Sequence, residues 1–442
     1  MSSSSDPHEA YEKIFQALEE HQKWFANSIP LIASENVPSP AVREAILSDF
    51  GNRYAEGWAG ERVYAGCIYI DQVEILCMEL ARKLFEAEFA DVRAVSGVMA
   101  NLTVYSAFTD PGDTIMALAI PNGGHISSGR KEFNGTAGLV HGLDVEYFAF
   151  DRDAWNIDVD KTKEKVKKLK SEGRKLKLAM FGASLFLFPH PVKELADFLK
   201  SENITVCYDS AHVSGLIAGK QFQAPLKEGA DAMTLSTHKT LFGPQGGAVF
   251  SWNKYADKIK AGAFPGTSSN HHLHHVAGKA VMFAEFLQFG EEYAKQVISN
   301  AQVLAQALND EGVDVLASHL GFTKSHQIAL DITRYGDGGT LEKELEKANI
   351  IANRQLIPRD VKEGRHYMHP GGLRIGTSEV TRLGMKQSEM KEIARLMARI
   401  IVKKENPDDV RREVESMRKN YQKVHYAFEP NTPAYKYIRV RS

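Results

Sequence analysis

The sequence predicts an α/β fold in which helices cover both faces of a mostly parallel sheet, followed by a smaller α+β domain. From Thr114 onward, short apolar or β-branched runs alternate with amphipathic stretches, which is typical of βαβ units. After a long helix predicted around residues 280–290, this alternation stops and sparser strands and helices follow. The segments predicted as strands of the large sheet are 114–120, 145–150, 178–181, 204–208, 232–235 and 248–252.

The length of the chain is a second reason to expect more than one domain. Its 442 residues exceed the ~250–300 residues beyond which a single hydrophobic core stops growing. We predict an N-terminal helical arm (1–35), a large α/β domain (36–280) and a small C-terminal α+β domain (281–442). Within the small domain, strands are expected at 327–332 and 373–375, helices at 341–349 and 389–402, and a surface tail at 406–442.

Caps and apolar stripes mark several helices. After the serine-rich residues 1–5, which we expect to be disordered, residues 8–28 have an amphipathic pattern. Ser39-Pro40 is typical of a helix start and Gly51 of its end. Further helices are expected from Asp71, from the 95–101 segment, over 192–199, and over the basic run 161–177, where Val166 and Leu169 would face the core.

Composition and charge exclude several function classes. A formal net charge of −2 gives no reason to expect nucleic acid or an anionic membrane as a partner. The three cysteines lack the spacing of a metal site and cannot all pair, which favours a reducing compartment. The first residues lack a signal-peptide pattern, and the longest apolar run, near residues 185–189, is far shorter than a bilayer span. We therefore expect a cytoplasmic protein.

One stretch, residues 235–247, indicates a catalytic lysine. Lys239 follows Ser236, Thr237 and His238, and a turn rich in glycine and proline comes after it. A catalytic lysine needs burial or a cationic neighbour to lower its pKa, and the preceding hydroxyls and histidine suit an anionic group. This combination fits a lysine that carries pyridoxal phosphate as a Schiff base. An ordinary surface turn has the same composition, so the segment alone leaves both interpretations open.

In open α/β sheets, ligands bind beyond the carboxyl ends of the strands. Several polar residues of this chain follow predicted strands at such positions. Asp209, at a strand end, is a candidate partner for a pyridinium nitrogen. His212 can hydrogen-bond that carboxylate or the ring substituents, and His125, after two glycines, can stack on a ring. A lone histidine is better explained by core packing, but three histidines in strand-end loops together with the lysine favour a site. Ser96-Gly97 opens a helix and is a candidate phosphate site, although the same residues serve in ordinary capping.

Two further segments carry reactive side chains. Residues 52–66 combine glycines with arginines, tyrosines and a tryptophan, which favours a loop that lines a site over a loose surface loop. The histidine-rich run 271–275 has a spacing that can bind metal on a helix. No nearby carboxylate or cysteine completes such a site in the sequence, so we favour packing at a helix start and expect no metal.

Taken together, these residues closely resemble serine hydroxymethyltransferase, especially its archaeal branch. The matching segments occur in the order of the family and span nearly the whole chain. They are LIASEN (31–36), RYAEGWAG (53–60), YIDQVE (69–74), GGHISSG (123–129), STHKTLFGPQGG (236–247), FPG (264–266) and LRIGTSEVTR (373–382).

The resemblance implies a fold-type I pyridoxal-phosphate enzyme in which Lys239 holds the cofactor. Asp209 would pair with the pyridinium nitrogen, His212 would lie near the ring hydroxyl and His125 would stack on the ring. Ser96, Gly97 and His238 would hold the phosphate, while Tyr54 and Gly266 would reach in from the second subunit of a homodimer. The implied cofactor-binding residues are Tyr54, Ser96, Gly97, His125, Ser184, Asp209, His212, His238, Lys239 and Gly266.

The resemblance also implies the substrates, serine or glycine and a tetrahydropterin. Arg374 would bind the amino-acid carboxylate, which suits its planar fork, and Ser34 and Tyr64 would complete that pocket. Glu56 would be the acid–base group, and Asn353 would bind the pterin ring. The implied catalytic residues are Lys239, Glu56, His125 and Asp209.

Three departures from the common family pattern concern the pterin carrier. They are Gln245 in place of an arginine, residues 185–188, and residues 267–272. We expect these segments to meet the distal part of the carrier or its entrance, and hence a modified pterin such as tetrahydromethanopterin, with tetrahydrofolate accepted more weakly. The alternatives are a pterin-independent β-hydroxy amino acid aldolase and a non-enzymatic binding protein, although the latter would be expected to lose Lys239, Asp209 or Glu56.

Overall fold

The computed structural model describes residues 6–441. The serine-rich residues 1–5, for which disorder was expected, lie outside the described residues. The strands are β1 (Ile29–Pro30), β2 (Gly57–Trp58), β3 (Glu61–Arg62), β4 (Phe89–Asp91), β5 (Thr114–Ala117), β6 (Asp144–Tyr147), β7 (Phe150–Asp151), β8 (Asn156–Ile157), β9 (Leu176–Gly182), β10 (Thr205–Asp209), β11 (Ala232–Ser236), β12 (Gly247–Ser251), β13 (Gln327–Asp331), β14 (Ile350–Ile351), β15 (Asn353–Gln355) and β16 (Gly372–Gly376).

Helices surround these strands. The α-helices are α1 (Pro7–Ala26), α2 (Pro40–Ile46), α3 (Ile68–Phe85), α4 (Gly97–Phe108), α5 (Thr136–Val140), α6 (Val159–Ser171), α7 (Val192–Ser201), α8 (Ser214–Ala218), α9 (Ala256–Ala261), α10 (Leu273–Asp310), α11 (Gly338–Lys347), α12 (Pro358–Glu363), α13 (Ser378–Arg382), α14 (Gln387–Ile401) and α15 (Pro407–Arg418). Short 3₁₀ turns occur at Asp49–Asn52, Ile120–Asn122, Ile126–Ser128, Lys131–Phe133, Asn253–Tyr255 and Ser318–Leu320, and a π-helical turn at Gly262–Thr267.

The largest sheet within residues 6–441 has seven strands in the order β4-β12-β11-β10-β9-β5-β6. The pairs from β11 to β6 are parallel, and β12 is antiparallel to both of its neighbours. Apolar side chains fill both faces of these strands, as expected for a sheet covered on both sides. The predicted α/β class with a mostly parallel sheet is confirmed.

The register of this sheet brings the ends of three strands together. Asp209, the last residue of β10, lies opposite Gly182 of β9 and Thr234 of β11. Since parallel strands end at a common edge, the loops that follow them meet there. Lys239 lies in the loop after β11, three residues beyond Ser236.

The long helix α10 joins this sheet to the C-terminal part of the chain. The part of α10 up to Val297 packs in the core of the large sheet, for example through Phe283, and the part from Ala301 onward packs in another core through Leu304 and Leu308. That second core also contains the antiparallel sheet β13-β16-β15. The 38-residue helix therefore crosses the predicted boundary at residue 280, and the domain division stays a prediction.

The segment after α1 packs with the C-terminal core. β1 pairs with β14 in parallel, and Gly376 at the end of β16 donates a backbone hydrogen bond to the carbonyl of Leu31. An added Cβ on Gly376 would lie 2.6 Å from Ala33 Cα, so this close approach requires glycine. Residues 29–36 are thus held against the strand that carries Arg374.

Several sequence-based boundaries were wrong. The strand β4 was missed, because Phe89–Asp91 is too short to show a period. The helix α2 ends at Ile46 rather than Gly51, and α3 begins at Ile68 rather than Asp71. None of the residues of α1 is buried, so within residues 6–441 no core covers its apolar stripe. None of the helices within residues 6–441 combines the length and apolar character needed to cross a bilayer.

Candidate active site

A cavity of about 180 Å³ opens where β9, β10 and β11 end. Lys239 is 9% exposed at its wall, and burial lowers the pKa of its ammonium to about 8, against the attraction of Asp209. The loop is fixed from outside because Asn36 donates a hydrogen bond to the carbonyl of Lys239 at 2.7 Å. The lining residues are Ser96, Gly97, Val98, Asn101, His125, Ala183, Asp209, Ala211, His212, Ser236, His238 and Lys239.

The carboxylate of Asp209 is held by donors at both oxygens. Asn101 Nδ2 donates to Oδ2 at 2.8 Å, and the backbone N–H of Ala211 donates to Oδ1 at 2.9 Å. Asn101, which is 1% exposed, also donates to Ser127 Oγ and accepts from Thr234 Oγ1. These hydrogen bonds fix the orientation of the Asp209 carboxylate at the cavity wall.

Two of the three histidines that line the cavity, His125 and His212, are neutral and oriented. His125 Nδ1 lies 2.7 Å from Ser127 Oγ and accepts from the Ser127 backbone N–H at 3.1 Å. His212 Nδ1 accepts from Gln327 Nε2 at 2.8 Å, not from or to Asp209, so that sequence-based alternative was wrong. Burial lowers the pKa of His125 and, far more, that of His212. Each ring therefore keeps its proton on Nε2.

The opposite end of the cavity has the features of an anion site. Ser96 caps α4, its Oγ accepting from Met99 N at 3.3 Å, and Gly97 opens the helix. A Cβ on Gly97 would lie 2.4 Å from Ser236 Oγ, so only glycine lets the helix start so near β11. Among residues 6–441, no group bonds the buried His238 Nδ1. An open helix N-terminus and an unpartnered polar atom fit a phosphate group.

Arg374 on β16 points to the same region from the C-terminal core. Its Nη1 donates to Ser184 O at 2.8 Å and to Ser184 Oγ at 2.9 Å, and its Nη2 lies 3.4 Å from Asn353 Oδ1. Burial lowers its pKa to about 10, which leaves it charged at neutral pH. Its buried Nε has no partner within residues 6–441. Ser34 follows Ala33, whose carbonyl contacts His326 Nε2 at 3.0 Å.

The remaining predicted residues do not line this cavity. Tyr54, Glu56, Tyr64 and Gly266, which we call the loop cluster, are not among its lining residues. The rings of Tyr54 and Tyr64 lie 4.8 Å apart, and Tyr54 OH lies 3.2 Å from Ser269 Oγ, three residues after Gly266. One chain therefore brings the residues predicted for one site together in two places.

A buried ion network holds the loop cluster. Arg62 Nη1 donates to the carbonyls of Ala55 and Gly57, while its other nitrogens pair with Asp71 and Glu74. Removing one member of a buried ion network leaves the others as uncompensated charges, which is strongly destabilising. The backbone on both sides of Glu56 is thereby fixed.

The histidine run at the start of α10 is partly used in packing. His271 Nε2 lies 2.7 Å from Glu74 Oε2, and His275 Nδ1 lies 2.7 Å from the carbonyl of Gln245. The expectation that no carboxylate lies near this run was therefore wrong. Among residues 6–441, no group of three or more His, Cys, Asp or Glu side chains has an arrangement that could hold a metal ion.

Residues 185–188 are not at an entrance. Leu185, Phe186, Leu187 and Phe188 are at most 8% exposed and belong to two hydrophobic clusters. The expectation that this departure meets the pterin carrier was wrong, because these side chains fill the core.

Sequence reasoning also missed residues that orient the site. Asn101 and Gln327 were not predicted, and neither has a motif of its own. Asn101 is the one amide side chain in the largely apolar helix segment 98–104. Because a buried amide needs hydrogen-bond partners, this position was the available signal. Gln327 begins a strand of apolar residues and had the same signal.

Comparison with known proteins agrees with this geometry. A family model described as serine hydroxymethyltransferase matches residues 8–397. Proteins named serine hydroxymethyltransferase are 63% identical in Nitrosopumilus maritimus (98% of each chain covered) and 61% identical in Cenarchaeum symbiosum (100% of each covered). The chain belongs to the serine hydroxymethyltransferase family. It is accordingly a one-carbon transferase that uses pyridoxal phosphate, serine or glycine, and a pterin, as the sequence predicted.

A solved structure confirms the fold. L-threonine transaldolase from Pseudomonas fluorescens, in its internal aldimine state, matches with a TM-score of 0.84 at 27% identity, covering 95% of this chain and 94% of that one. This is the predicted fold-type I pyridoxal-phosphate class. The aldolase alternative is not favoured, since the relatives with the hydroxymethyltransferase name are much more similar.

The lowered pKa of Lys239 predicts how the apoprotein takes up its cofactor. Only the neutral amine reacts, so the uptake rate of pyridoxal phosphate should rise with pH and level off above about pH 8. Stopped-flow absorbance over pH 6–10 measures this, with N-acetyl-lysine as the control, whose rate should rise further, towards pH ~10.4. A protein rate that follows the free amine would contradict the burial of Lys239.

Proposed function

We propose that the cavity and the loop cluster together form the active site, in which a one-carbon unit passes between serine and a tetrahydropterin. The observation that carries this proposal is the buried Lys239 between the fixed carboxylate of Asp209 and the guanidinium of Arg374. When bound, pyridoxal phosphate supplies an electron sink for the breaking Cα–Cβ bond of serine. The side chains of the protein have to bind and orient the cofactor and the substrates, and they have to move the protons.

The cavity residues provide the binding contacts. Ser96, Gly97 and His238 hold the phosphate, through the helix N-terminus and a neutral imidazole. Asp209, fixed by Asn101, keeps the pyridinium nitrogen protonated. His125 offers its ring face to the cofactor and His212 offers its Nε2 proton to the ring oxygen, because both rings are locked through Nδ1.

Arg374 binds the carboxylate of the amino acid. It stays charged, its Nε has no partner within residues 6–441, and its Nη2 has only the 3.4 Å contact with Asn353, so these two nitrogens suit a bidentate bond. Ser34, held against β16, lies beside this pocket. Asn353, next to Arg374, binds the pterin ring.

A homodimer brings the loop cluster to the cavity of the partner. Tyr54, Glu56, Tyr64 and Gly266 do not line the cavity of their own chain, and the contact between the two tyrosine rings supports placing both at one site. Exposed apolar side chains adjoin the cluster and suit burial in a subunit interface. They are Val63 (72% exposed), Ile68 (72%), Tyr69 (72%) and Leu76 (50%).

Within this shared site, Glu56 moves protons between the amino acid and the pterin. The carrier is a modified tetrahydropterin of the tetrahydromethanopterin type, with tetrahydrofolate as the weaker substrate. Of the three departures, Gln245 and the exposed residues Ser269 and His272 support this, because they remain at the surface. The cytoplasm is the compartment that three unpaired, buried thiols favour.

Replacing Glu56 with Gln should separate the two reactions. The variant should bind serine normally and lose pterin-dependent transfer by about a hundred- to ten-thousandfold. Pterin-independent cleavage of bulkier β-hydroxy amino acids should suffer less, since it needs no proton at the pterin. Steady-state assays of both reactions measure this, with the exposed Glu61→Gln as a matched control. Equal loss of both would assign Glu56 to the fold of the loop.

Mixed dimers test the shared site. Lys239→Ala and Tyr54→Ala chains should each be inactive alone. In a hybrid dimer both substitutions fall in the same active site, so the second active site is intact. Part of the serine cleavage activity should return after subunit exchange. Hybrids that are confirmed by native mass spectrometry and remain inactive would mean that each site is built from one chain.

The carrier is identified by kcat/KM for serine conversion with each tetrahydropterin, at saturating serine, since specificity is a difference in transition-state binding. Tetrahydromethanopterin should give the higher value and tetrahydrofolate the lower one. A clear preference for tetrahydrofolate would refute the carrier assignment. No pterin-dependent glycine formation with any carrier would refute the proposed function.

A further inference from the structure

A second buried lysine lies behind the phosphate end of the cavity, and the reaction has no use for it. Lys279 on α10 is 1% exposed. Its Nζ donates hydrogen bonds to the carbonyl oxygens of Val92, Ala94 and Gly247, at 2.7, 3.0 and 3.1 Å. These bonds use all three protons of the ammonium group. Lysine is almost never fully buried unless it is paired, so this position needs a physical reason.

The three carbonyls belong to the two segments that frame the phosphate end. The first two lie between β4 and Ser96, the N-cap of α4. Gly247 follows the loop that carries His238 and opens β12. The segments also touch directly, since Gly247 N donates to Ala94 O at 2.8 Å and a Cβ on Gly247 would lie 2.5 Å from Ser96 O. The ammonium therefore fastens one wall of the anion site to the other.

Without a cation, this arrangement would be unfavourable. Three carbonyl oxygens aimed at one buried point repel each other and cannot all be satisfied by water in a closed space. The fit around the lysine is tight, because a Cβ on Gly246 would lie 2.3 Å from Lys279 Cε. Burial lowers the pKa of Lys279 to about 8, while Asp91 and Glu74 act in the opposite direction.

The charge of Lys279 also reaches the cavity wall. Burial lowers the pKa of His238 to about 4, and the charges of Lys239 and Lys279 add to this effect. A buried positive charge on the far side of the cradle favours a dianion within it, because screening by solvent is weak there. The Lys279 ammonium thus acts both through its hydrogen bonds, which hold the two segments, and through the electrostatic field of its charge.

We propose that Lys279 is a positioning residue for the cofactor phosphate. Its ammonium takes the place of a bound monovalent cation and holds Ser96-Gly97 and the His238 loop in the geometry that binds a phosphate dianion. The inference rests on the proposed function, in which these residues hold the phosphate.

Comparing pyridoxal phosphate with pyridoxal, which lacks the phosphate, tests this role. In the apoprotein of Lys279→Ala, the dissociation constant for pyridoxal phosphate should increase by about ten- to a hundredfold, as for loss of a charged hydrogen-bonding group. That for pyridoxal should change by no more than about twofold. Absorbance titration measures both constants. The matched control is Lys165→Ala, since Lys165 Nζ donates to the carbonyl of Tyr147 at 2.7 Å and lies outside the cavity.

Chemical rescue distinguishes positioning from general support of the fold. The space left by the lysine is lined by carbonyls, so added ethylammonium should restore the affinity of Lys279→Ala for pyridoxal phosphate, whereas tetramethylammonium, which has no N–H, should not. If Lys279→Ala does not fold, Lys279→Gln, which keeps two N–H donors and removes the charge, gives the same two-ligand comparison.

Equal weakening for both ligands, or no weakening for either, would overturn the role of Lys279. The wild-type protein separates this failure from that of the proposed function. A wild-type apoprotein that binds pyridoxal phosphate no better than pyridoxal would refute the phosphate assignment itself, and absence of serine conversion would refute the reaction.

Discussion

The parallel register of β9, β10 and β11 is the constraint on which the site depends. It places Asp209 opposite Gly182 and Thr234, so that the loops with Ser184 and Lys239 start from the same edge. A one-residue slip in any of these strands would turn its side chains to the other face of the sheet. The fully buried apolar faces make such a slip costly, and hydrophobic packing thereby fixes the positions of the polar groups.

Electrostatics then gives the cavity its character. Lys239, Arg374 and Lys279 are buried cations, and Asp209 is a buried carboxylate at the cavity wall. The histidines add no charge, because burial lowers their pKa values. A site with this excess of positive charge favours ligands with a phosphate or a carboxylate, since buried charges need partners.

The loop cluster is not part of the cavity lining, and buried charges also determine how it is held. The network of Arg62, Asp71 and Glu74 holds a loop whose residues do not line the cavity that contains Lys239. In our proposal, these residues serve the cavity of a neighbouring chain. This also gives a reason for the exposed apolar side chains beside them, which a single chain leaves in water.

The sequence by itself determined the α/β class, the positions of most strands of the large sheet along the chain, the lysine loop and the family, because these depend on local periodicity and on ordered motifs. It did not determine which polar groups meet. Asn101 and Asp209 are 108 residues apart, Lys279 and Ala94 are 185 apart, and Glu74 and His271 are 197 apart. The stripe of α1 was equally visible, yet only the folded chain shows that nothing in residues 6–441 covers it fully. Periodicity records that a side chain avoids water, whereas its partner depends on the path of the whole chain. Tertiary structure therefore decided the polar contacts of the site.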